Sequence, residues 1–309
     1  MKFNLLSFLM MLVCFTGNTS FAQCSIPAAT STPTYPPALI DEMTGQPLSS
    51  TATKCIVLIH GWNPGGANNC YDLNDAFEFF ELINNLKLKL KNTGWSIVAY
   101  DWHQDANTGL IGPLTPSFSQ FVFGAANQAA ANAQLHGDNL ATMLDNAAPD
   151  LREVHFIAHS AGTHAAKEAM SQLLQLNHYV IVQTTFLDPY IPCPSDSLGT
   201  FSDYAMDQLQ FATGNDRIMR LENYYANDDP SHGWNAFPWG SWYPPTVDTQ
   251  ETFNWRTGID INQEVDWGAT LVNPVLSGSV FYSANYDWHS GPIQFYADTV
   301  DVTSLFRAT

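Results

Sequence analysis

The chain has 309 residues, of which 45% are hydrophobic, and 29 acidic against 11 basic residues give a formal net charge of −18 at pH 7. A chain of this length can bury enough apolar surface for one large domain, or two at most. A strongly acidic protein repels phosphate backbones, so the charge argues against a nucleic-acid partner.

The N-terminal segment, residues 1–22, has the pattern of a cleaved secretory leader. Lys2 supplies a positive charge, an apolar run follows, and Ser20 and Ala22 are the small residues that precede a cleavage site. No later run is long and apolar enough to span a bilayer. We therefore expect a secreted or periplasmic protein without a transmembrane anchor, in which residues 23–309 form a single domain.

Four cysteines follow this leader: Cys24, Cys55, Cys70 and Cys193. In an oxidising compartment an even number of cysteines predicts disulfides, here two bridges with three possible pairings. Their spacing matches no zinc pattern, and we expect neither a metal ion nor an organic cofactor.

After a Ser-, Thr-, Pro- and Ala-rich stretch at 23–53, which predicts an extended or covering segment, apolar runs alternate with helical patterns. The predicted strands are CIVLIH (55–60), WSIVAYDW (95–102), EVHFIAH (153–159), YVIVQTTFLDP (179–189) and RIMRLENYYAND (217–228). The predicted helices lie in 73–92, 127–147 and 161–176, and the first has Phe77, Phe80 and Ile83 at helical spacing. This alternation predicts an α/β fold with a mostly parallel central sheet and helices on both faces.

The strand ends carry the side chains of chemical interest, because ligands bind at the carboxyl ends of strands in open α/β sheets. These ends are His60-Gly61-Trp62, Asp101-Trp102, His159-Ser160-Ala161 and Asp188-Pro189. A serine, an aspartate and a glycine turn are therefore predicted to share one edge of the sheet. A histidine from later in the chain would complete a set for nucleophilic catalysis.

Ser160 is the predicted nucleophile. It stands in the frame Ala158-His159-Ser160-Ala161-Gly162, between a predicted strand and a predicted helix, with alanine where the usual frame has its first glycine. Such a turn presents the hydroxyl and directs backbone N–H groups at a developing oxyanion, and we assign these donors to Trp62 and Ala161. The alternative is a helix-capping serine.

The general base is predicted late in the chain if the order is Ser, Asp, His. Only His232 and His289 lie beyond Asp188, and His289 is preferred because it stands between a strand-like run and a predicted terminal helix. Packing and turn-shaping roles are predicted for the histidines near the serine, namely His60, His159 and His164.

Four blocks together resemble the lipase family typified by animal pancreatic and lipoprotein lipases. They are CIVLIHGWNPGG, SIVAYDWHQDANTG, VHFIAHSAGTHAAKEAM and TTFLDPYIPC, and their order and spacing match the family over about residues 55–195. The resemblance implies the α/β-hydrolase fold and assigns the catalytic acid to Asp188. In many α/β-hydrolases the acid follows the next strand, which would indicate Asp228 or Asp229 instead.

These patterns predict a secreted serine carboxylester hydrolase, a lipase or phospholipase A1, acting on lipid or other esters and, for a lipid, at a lipid–water interface. The alternatives are a short-chain esterase or thioesterase with the same triad, and a non-catalytic lipid-binding protein on the same fold. Two apolar segments, 108–124 and 234–245, are candidates for a lid or an acyl groove, or for packing under long loops.

Overall fold

The architecture comes from a computed structural model. It describes residues 33–62, 77–108, 118–176, 181–190, 218–225, 261–264, 292–293, 295–297 and 299–300. The predicted leader and the aromatic segment 234–245 lie outside these residues.

The strands of the described residues are β1 (Ile40–Asp41), β2 (Gln46–Pro47), β3 (Lys54–Ile59), β4 (Trp95–Tyr100), β5 (Glu153–His159), β6 (Ile181–Leu187), β7 (Ile218–Tyr225) and β8 (Ile261–Glu264). They form one sheet in the order β2-β1-β4-β3-β5-β6-β7-β8. The six strands from β3 to β8 run parallel, and the short β1 pairs antiparallel with β4 and with β2.

The helices are α1 (Phe77–Lys89), α2 (His103–Ala106), α3 (Phe118–Ala147) and α4 (Gly162–Gln175), followed by helical residues at 292–293, 295–297 and 299–300. Helices α3 and α4 contribute buried residues to the core on one face of the sheet, whereas α1 and the C-terminal helical residues pack against the other face. The predicted α/β fold, with a mostly parallel sheet between two helical layers, is confirmed.

Burial on both faces explains why β3 reads as an almost continuous apolar run. In β3, alternation along the strand places Cys55, Val57 and Ile59 in the core on one face, and Ile56 and Leu58 in the core on the other. A strand with one solvated face would instead alternate apolar and polar residues. The central strands run parallel, so their carboxyl ends lie at one edge of the sheet, where the predicted site residues follow them.

Some elements differ from the sequence prediction. Helix α3 begins at Phe118, so residues 118–124 of the predicted apolar loop are helical, because their apolar residues continue the helical pattern that follows. In α1, Phe80 is 55% exposed, whereas Phe79 and Leu82 are buried. The sequence offers two apolar faces here, and the sheet packs against the one that continues through Leu82 and its neighbours.

The cysteine prediction also needs correction. Cys55 lies fully buried in β3 as a free thiol, and burial raises the pKa of this thiol well above its ordinary value. Two disulfides among the four cysteines are therefore excluded, because Cys55 faces the core between the sheet and the helices. The other three, Cys24, Cys70 and Cys193, lie outside the described residues.

Within the part of the chain that the structure describes, no helix is both long and apolar enough to cross a membrane.

Candidate active site

Ser160 occupies a tight turn between β5 and α4. Its backbone has a φ of 51°, in the left-handed region that residues with a side chain rarely adopt. Its N–H donates to the carbonyl of Leu187 (3.1 Å), and its own carbonyl accepts from the backbone and the hydroxyl of Thr163 (3.2 and 2.6 Å). Strain of this kind costs about 1–3 kcal/mol and is concentrated at functional sites. The turn forms with Ala158 in place of the usual glycine.

Two glycines allow this turn and the end of β3 to approach each other closely. A Cβ atom on Gly61 would lie 2.7 Å from Cβ of Ser160 and 3.3 Å from its Oγ. A Cβ atom on Gly162 would lie only 2.2 Å from the carbonyl oxygen of His60. The 60–62 turn thus packs directly on the serine, at a distance that a side chain at either position would prevent.

The N-terminus of α4 supplies a donor beside the serine. The N–H groups of Thr163 and His164 are used by the carbonyls of Ser160 and Ala161, respectively. The N–H of Ala161 donates no hydrogen bond within the described residues, and it lies at the positive end of the helix dipole. Such a group is suited to stabilising an oxyanion, which is the role predicted for Ala161.

Asp188 lies at the same edge of the sheet, on the neighbouring strand. His159 pairs with Leu187 in the parallel register of β5 and β6, so Ser160 and Asp188 follow equivalent positions. Asp188 is also left-handed, with a φ of 46°, and it is 1% exposed. Its N–H donates to the carbonyl of Tyr224 at 2.7 Å, which ties the end of β6 to β7.

A histidine on α4 connects the nucleophile's helix to the aspartate's loop. The imidazole of His164, one helical turn after Ser160, donates through Nε2 to the carbonyl of Tyr190 at 2.8 Å. Burial, and then the nearby Lys167 ammonium, lowers the pKa of His164 to about 3. The ring is therefore neutral at ordinary pH and acts as a fixed donor, in agreement with the packing role predicted for it.

The structure brings together Ser160, Ala161, Asp188 and the turn that carries Trp62. The predicted base His289, its alternative His232, and the alternative acids Asp228 and Asp229 lie outside the described residues.

Sequence reasoning placed Trp102 at a strand end but gave it no role. In the fold its indole N–H donates to the carbonyl of His60, the first residue of the 60–62 turn, at 2.9 Å. The signal in the sequence is an aromatic residue with a polar atom, placed after the strand that neighbours β3 in the sheet. Among the described residues, no group of three or more His, Cys, Asp or Glu side chains could hold a metal ion.

A family model described as the alpha/beta hydrolase family matches residues 56–300 of this sequence. The chain therefore belongs to the alpha/beta hydrolase family. The curated proteins include none that matches it in sequence.

Several solved structures are similar to the chain at low sequence identity. An esterase of Pyrococcus furiosus is 13% identical, with 74% of this chain and 93% of that one covered and a TM-score of 0.33. A siderophore hydrolase of Aspergillus nidulans is 12% identical, with 91% and 99% covered and a TM-score of 0.40. A type II thioesterase of yersiniabactin biosynthesis is 12% identical, with 82% and 92% covered and a TM-score of 0.35.

Proposed function

We propose that this protein is a serine-dependent hydrolase of carboxylic esters. The observation that carries the proposal is the left-handed Ser160 between β5 and α4, with Gly61 packed against its Cβ. Beside it stands the N–H of Ala161, which has no acceptor among the described residues. A helix-capping serine does not need this geometry, since an N-cap residue ordinarily has extended backbone angles and bonds a helix N–H through its side chain. Helix α4 has no side-chain cap of this kind.

In the proposed mechanism, Oγ of Ser160 attacks the ester carbonyl carbon while the imidazole of His289 takes the hydroxyl proton. The carbonyl oxygen becomes an oxyanion that accepts hydrogen bonds from the N–H groups of Trp62 and Ala161. The bond to the leaving oxygen then breaks, and the imidazolium returns its proton to that oxygen. Water, deprotonated by the same imidazole, hydrolyses the acyl-enzyme and regenerates Ser160, while Asp188 orients the histidine.

The choice of Asp188 as the acid is supported by its burial, its left-handed conformation and its adjacency to Ser160 across the β5–β6 register. A buried carboxylate at a strand end can hold an imidazole in one tautomer. The first described helical residue near the C-terminus is 292, three positions after His289, and the rings of Tyr296 and Tyr224 have centroids 5.5 Å apart. The carbonyl of Tyr224 also accepts the N–H of Asp188, so the C-terminal helical residues and Asp188 contact the same residue of β7. This supports a base from the segment that precedes these helical residues.

The surroundings suit an acyl group. The half-buried side chain of Trp62 packs with Ala130 and Tyr190, which places apolar surface next to the proposed oxyanion donors. Ser160 itself is 5% exposed, so little of the nucleophile is open to solvent. A short-chain ester or thioester fits this description and is our first candidate.

The test is a hydrolysis screen over p-nitrophenyl esters of increasing chain length, thioesters, triglycerides and phospholipids, run with wild type and with Ser160→Ala. We expect activity on at least one ester class and its loss in the variant, together with fluorophosphonate labelling of wild type at Ser160. Ser171→Ala is a matched control, because Ser171 is the serine of α4, the helix that follows Ser160, and stands well past the turn. Equal activity in Ser160→Ala and wild type would contradict the proposal, and an unlabelled, inactive wild type would favour a binding protein.

A lipid ester is the second candidate, and the four sequence blocks that resemble the lipase family favour it. Rates on one ester above and below its solubility limit separate the two candidates. A lipase gains activity when the substrate forms an interface, whereas an esterase follows the concentration of dissolved substrate. Deleting 234–242 should reduce only the interfacial rate if this segment is a lid, and unchanged activity on dispersed lipid would exclude that role.

We also propose that the protein acts outside the cytoplasm, on the evidence of the leader pattern in residues 1–22. Sequencing the N-terminus of the protein recovered from its native host should give a chain that starts at Gln23. A mature chain that retains Met1 would contradict this proposal.

A further inference from the structure

Two successive peptide groups of the turn after β3 accept hydrogen bonds from ring N–H groups. The indole N–H of Trp102 donates to the carbonyl of His60 at 2.9 Å. Nδ1 of His60 lies 2.9 Å from the carbonyl oxygen of Gly61. Burial lowers the pKa of His60 to about 4, so its ring is neutral at ordinary pH. Because a carbonyl can only accept, Nδ1 carries the proton and donates to Gly61.

The hydrogen bond from Nδ1 of His60 to the Gly61 carbonyl sets the orientation of the proposed oxyanion donor, the N–H of Trp62. The carbonyl of Gly61 and the N–H of Trp62 belong to one planar peptide group and point in opposite directions. Fixing the carbonyl therefore fixes the direction of the N–H. A hydrogen bond to the carbonyl also polarises the peptide group and makes its N–H a stronger donor.

The turn requires such a restraint because of the glycine it contains. Gly61 cannot carry a side chain, since its Cβ would overlap Ser160. Glycine also has the greatest backbone freedom of any residue, so an unrestrained peptide group at this position would rotate readily. The close approach to the nucleophile thus creates flexibility at the position where the oxyanion donor must be rigid.

Trp102 is itself tightly packed and can restrain the 60–62 turn. It is 1% exposed, and its ring stacks on the ring of His60 with centroids 5.3 Å apart and an interplanar angle of 21°. On another side it packs against His136, at 5.7 Å between centroids. His136 is itself held at both ring nitrogens, by the hydroxyl of Tyr100 and the carboxylate of Asp105, each at 2.9 Å.

We propose that Trp102, acting through His60, is a positioning residue that aligns the Trp62 N–H with the oxyanion. This inference rests on the proposed function of Ser160. Trp102 touches neither the substrate nor the reacting atoms. It holds the His60 carbonyl with its N–H and the His60 ring with its face, and His60 in turn holds the peptide group that carries the donor.

The central test is Trp102→Phe, which keeps an aromatic ring over His60 but removes the indole N–H. Losing an oxyanion donor outright lowers kcat by about 100- to 1,000-fold, so a donor that is only misaligned should cost less, about 10- to 100-fold. We expect that loss in kcat for the best ester of the screen, with KM unchanged. The inhibition constant of a trifluoromethyl ketone, which becomes tetrahedral on the serine, should rise by the same factor as kcat/KM falls.

Trp95→Phe is the matched control, because Trp95 begins β4 and Trp102 follows its end, at opposite edges of the sheet. It should leave kcat and the ketone's inhibition constant as in wild type. A second pair of variants tests the link through the imidazole. His60→Leu should lower kcat, and His60→Asn, whose amide nitrogen can take the place of Nδ1, should recover part of the loss.

The outcomes separate the inference from the function on which it rests. A Trp102→Phe protein that loses thermal stability but keeps wild-type kcat and ketone inhibition would overturn the positioning role alone. Equal losses in Trp102→Phe and Trp95→Phe would also overturn it, since the effect would then be general. A wild-type protein that fluorophosphonate does not label at Ser160 would overturn the proposed function and this inference together.

Discussion

Gly162→Ala tests the architecture of the candidate site with a single methyl group. A Cβ atom at this position would lie 2.2 Å from the carbonyl oxygen of His60 and 2.9 Å from that of Ile59. Close C···O contacts in proteins are about 3.3–3.6 Å, so α4 and the end of β3 must separate by about 1 Å. Both oxygens are backbone atoms, one at the end of β3 and one in the turn that follows it, so they cannot rotate away as a side chain would.

This separation should reduce activity more than stability. The shift moves the Ala161 N–H, on α4, away from the Trp62 N–H, on the 60–62 turn, and a misplacement of 1 Å typically costs about 100-fold in rate. Overpacking of a buried site costs about 1–3 kcal/mol in the free energy of unfolding. We therefore expect Gly162→Ala to fold, with a lower Tm and with kcat/KM for ester hydrolysis reduced about 100-fold.

The assay compares kcat/KM and Tm of this variant with those of Gly137→Ala. A Cβ atom on Gly137 would lie 2.5 Å from the carbonyl oxygen of Ala165 and 2.6 Å from Cβ of Glu168, so the overlap is similar and also falls on α4. Gly137 stands on α3 and faces the middle of α4, not the 60–62 turn, so its substitution should lower Tm with a much smaller loss of kcat/KM. Wild-type kcat/KM in Gly162→Ala would refute the reasoning, as would equal losses in both variants.

Three further predictions follow from the structure. Asp188→Asn should lower kcat about 10⁴-fold with little change in KM. The same substitution at Asp228 or Asp229 should leave kcat near the wild-type value. A near-normal kcat in Asp188→Asn would exclude Asp188 as the acid. Burial, together with the nearby Glu168 carboxylate, raises the pKa of Asp138 to about 6. Because the native state favours the protonated form of Asp138, the free energy of unfolding should fall as pH rises from about 4 through 6. Urea unfolding at pH 4.5 and 7.5 should show Asp138→Asn gaining more stability over wild type at the higher pH, and an equal difference at both would contradict the shift. Finally, Cys55 should react with iodoacetamide only after unfolding in denaturant without reductant, and labelling of the native protein at Cys55 would show that this thiol is accessible.

The fold class could be predicted because its signals are local. Strands buried on both faces are mostly apolar, and β3 shows this directly in sequence. The elements that escaped prediction lack such a signal. The strand β8 (Ile261–Glu264) has the sequence INQE, and the β1–β2 hairpin has two residues in each strand, so neither has a periodicity that could be recognised. Their places in the sheet depend on the pairing of β1 with β4 and of β8 with β7, which lie far away in the chain.

By itself, the sequence determined which residues end the central strands, and therefore that Ser160, Asp188 and the 60–62 turn would meet at one edge. The physical reason is that parallel strands bring all their carboxyl ends to the same side. Only the tertiary structure decided how closely they meet. The contact of Gly61 with Ser160 and the hydrogen bond from Trp102 to His60 join residues that follow different strands. Such distances depend on the packing of whole elements, which no local pattern of residues records.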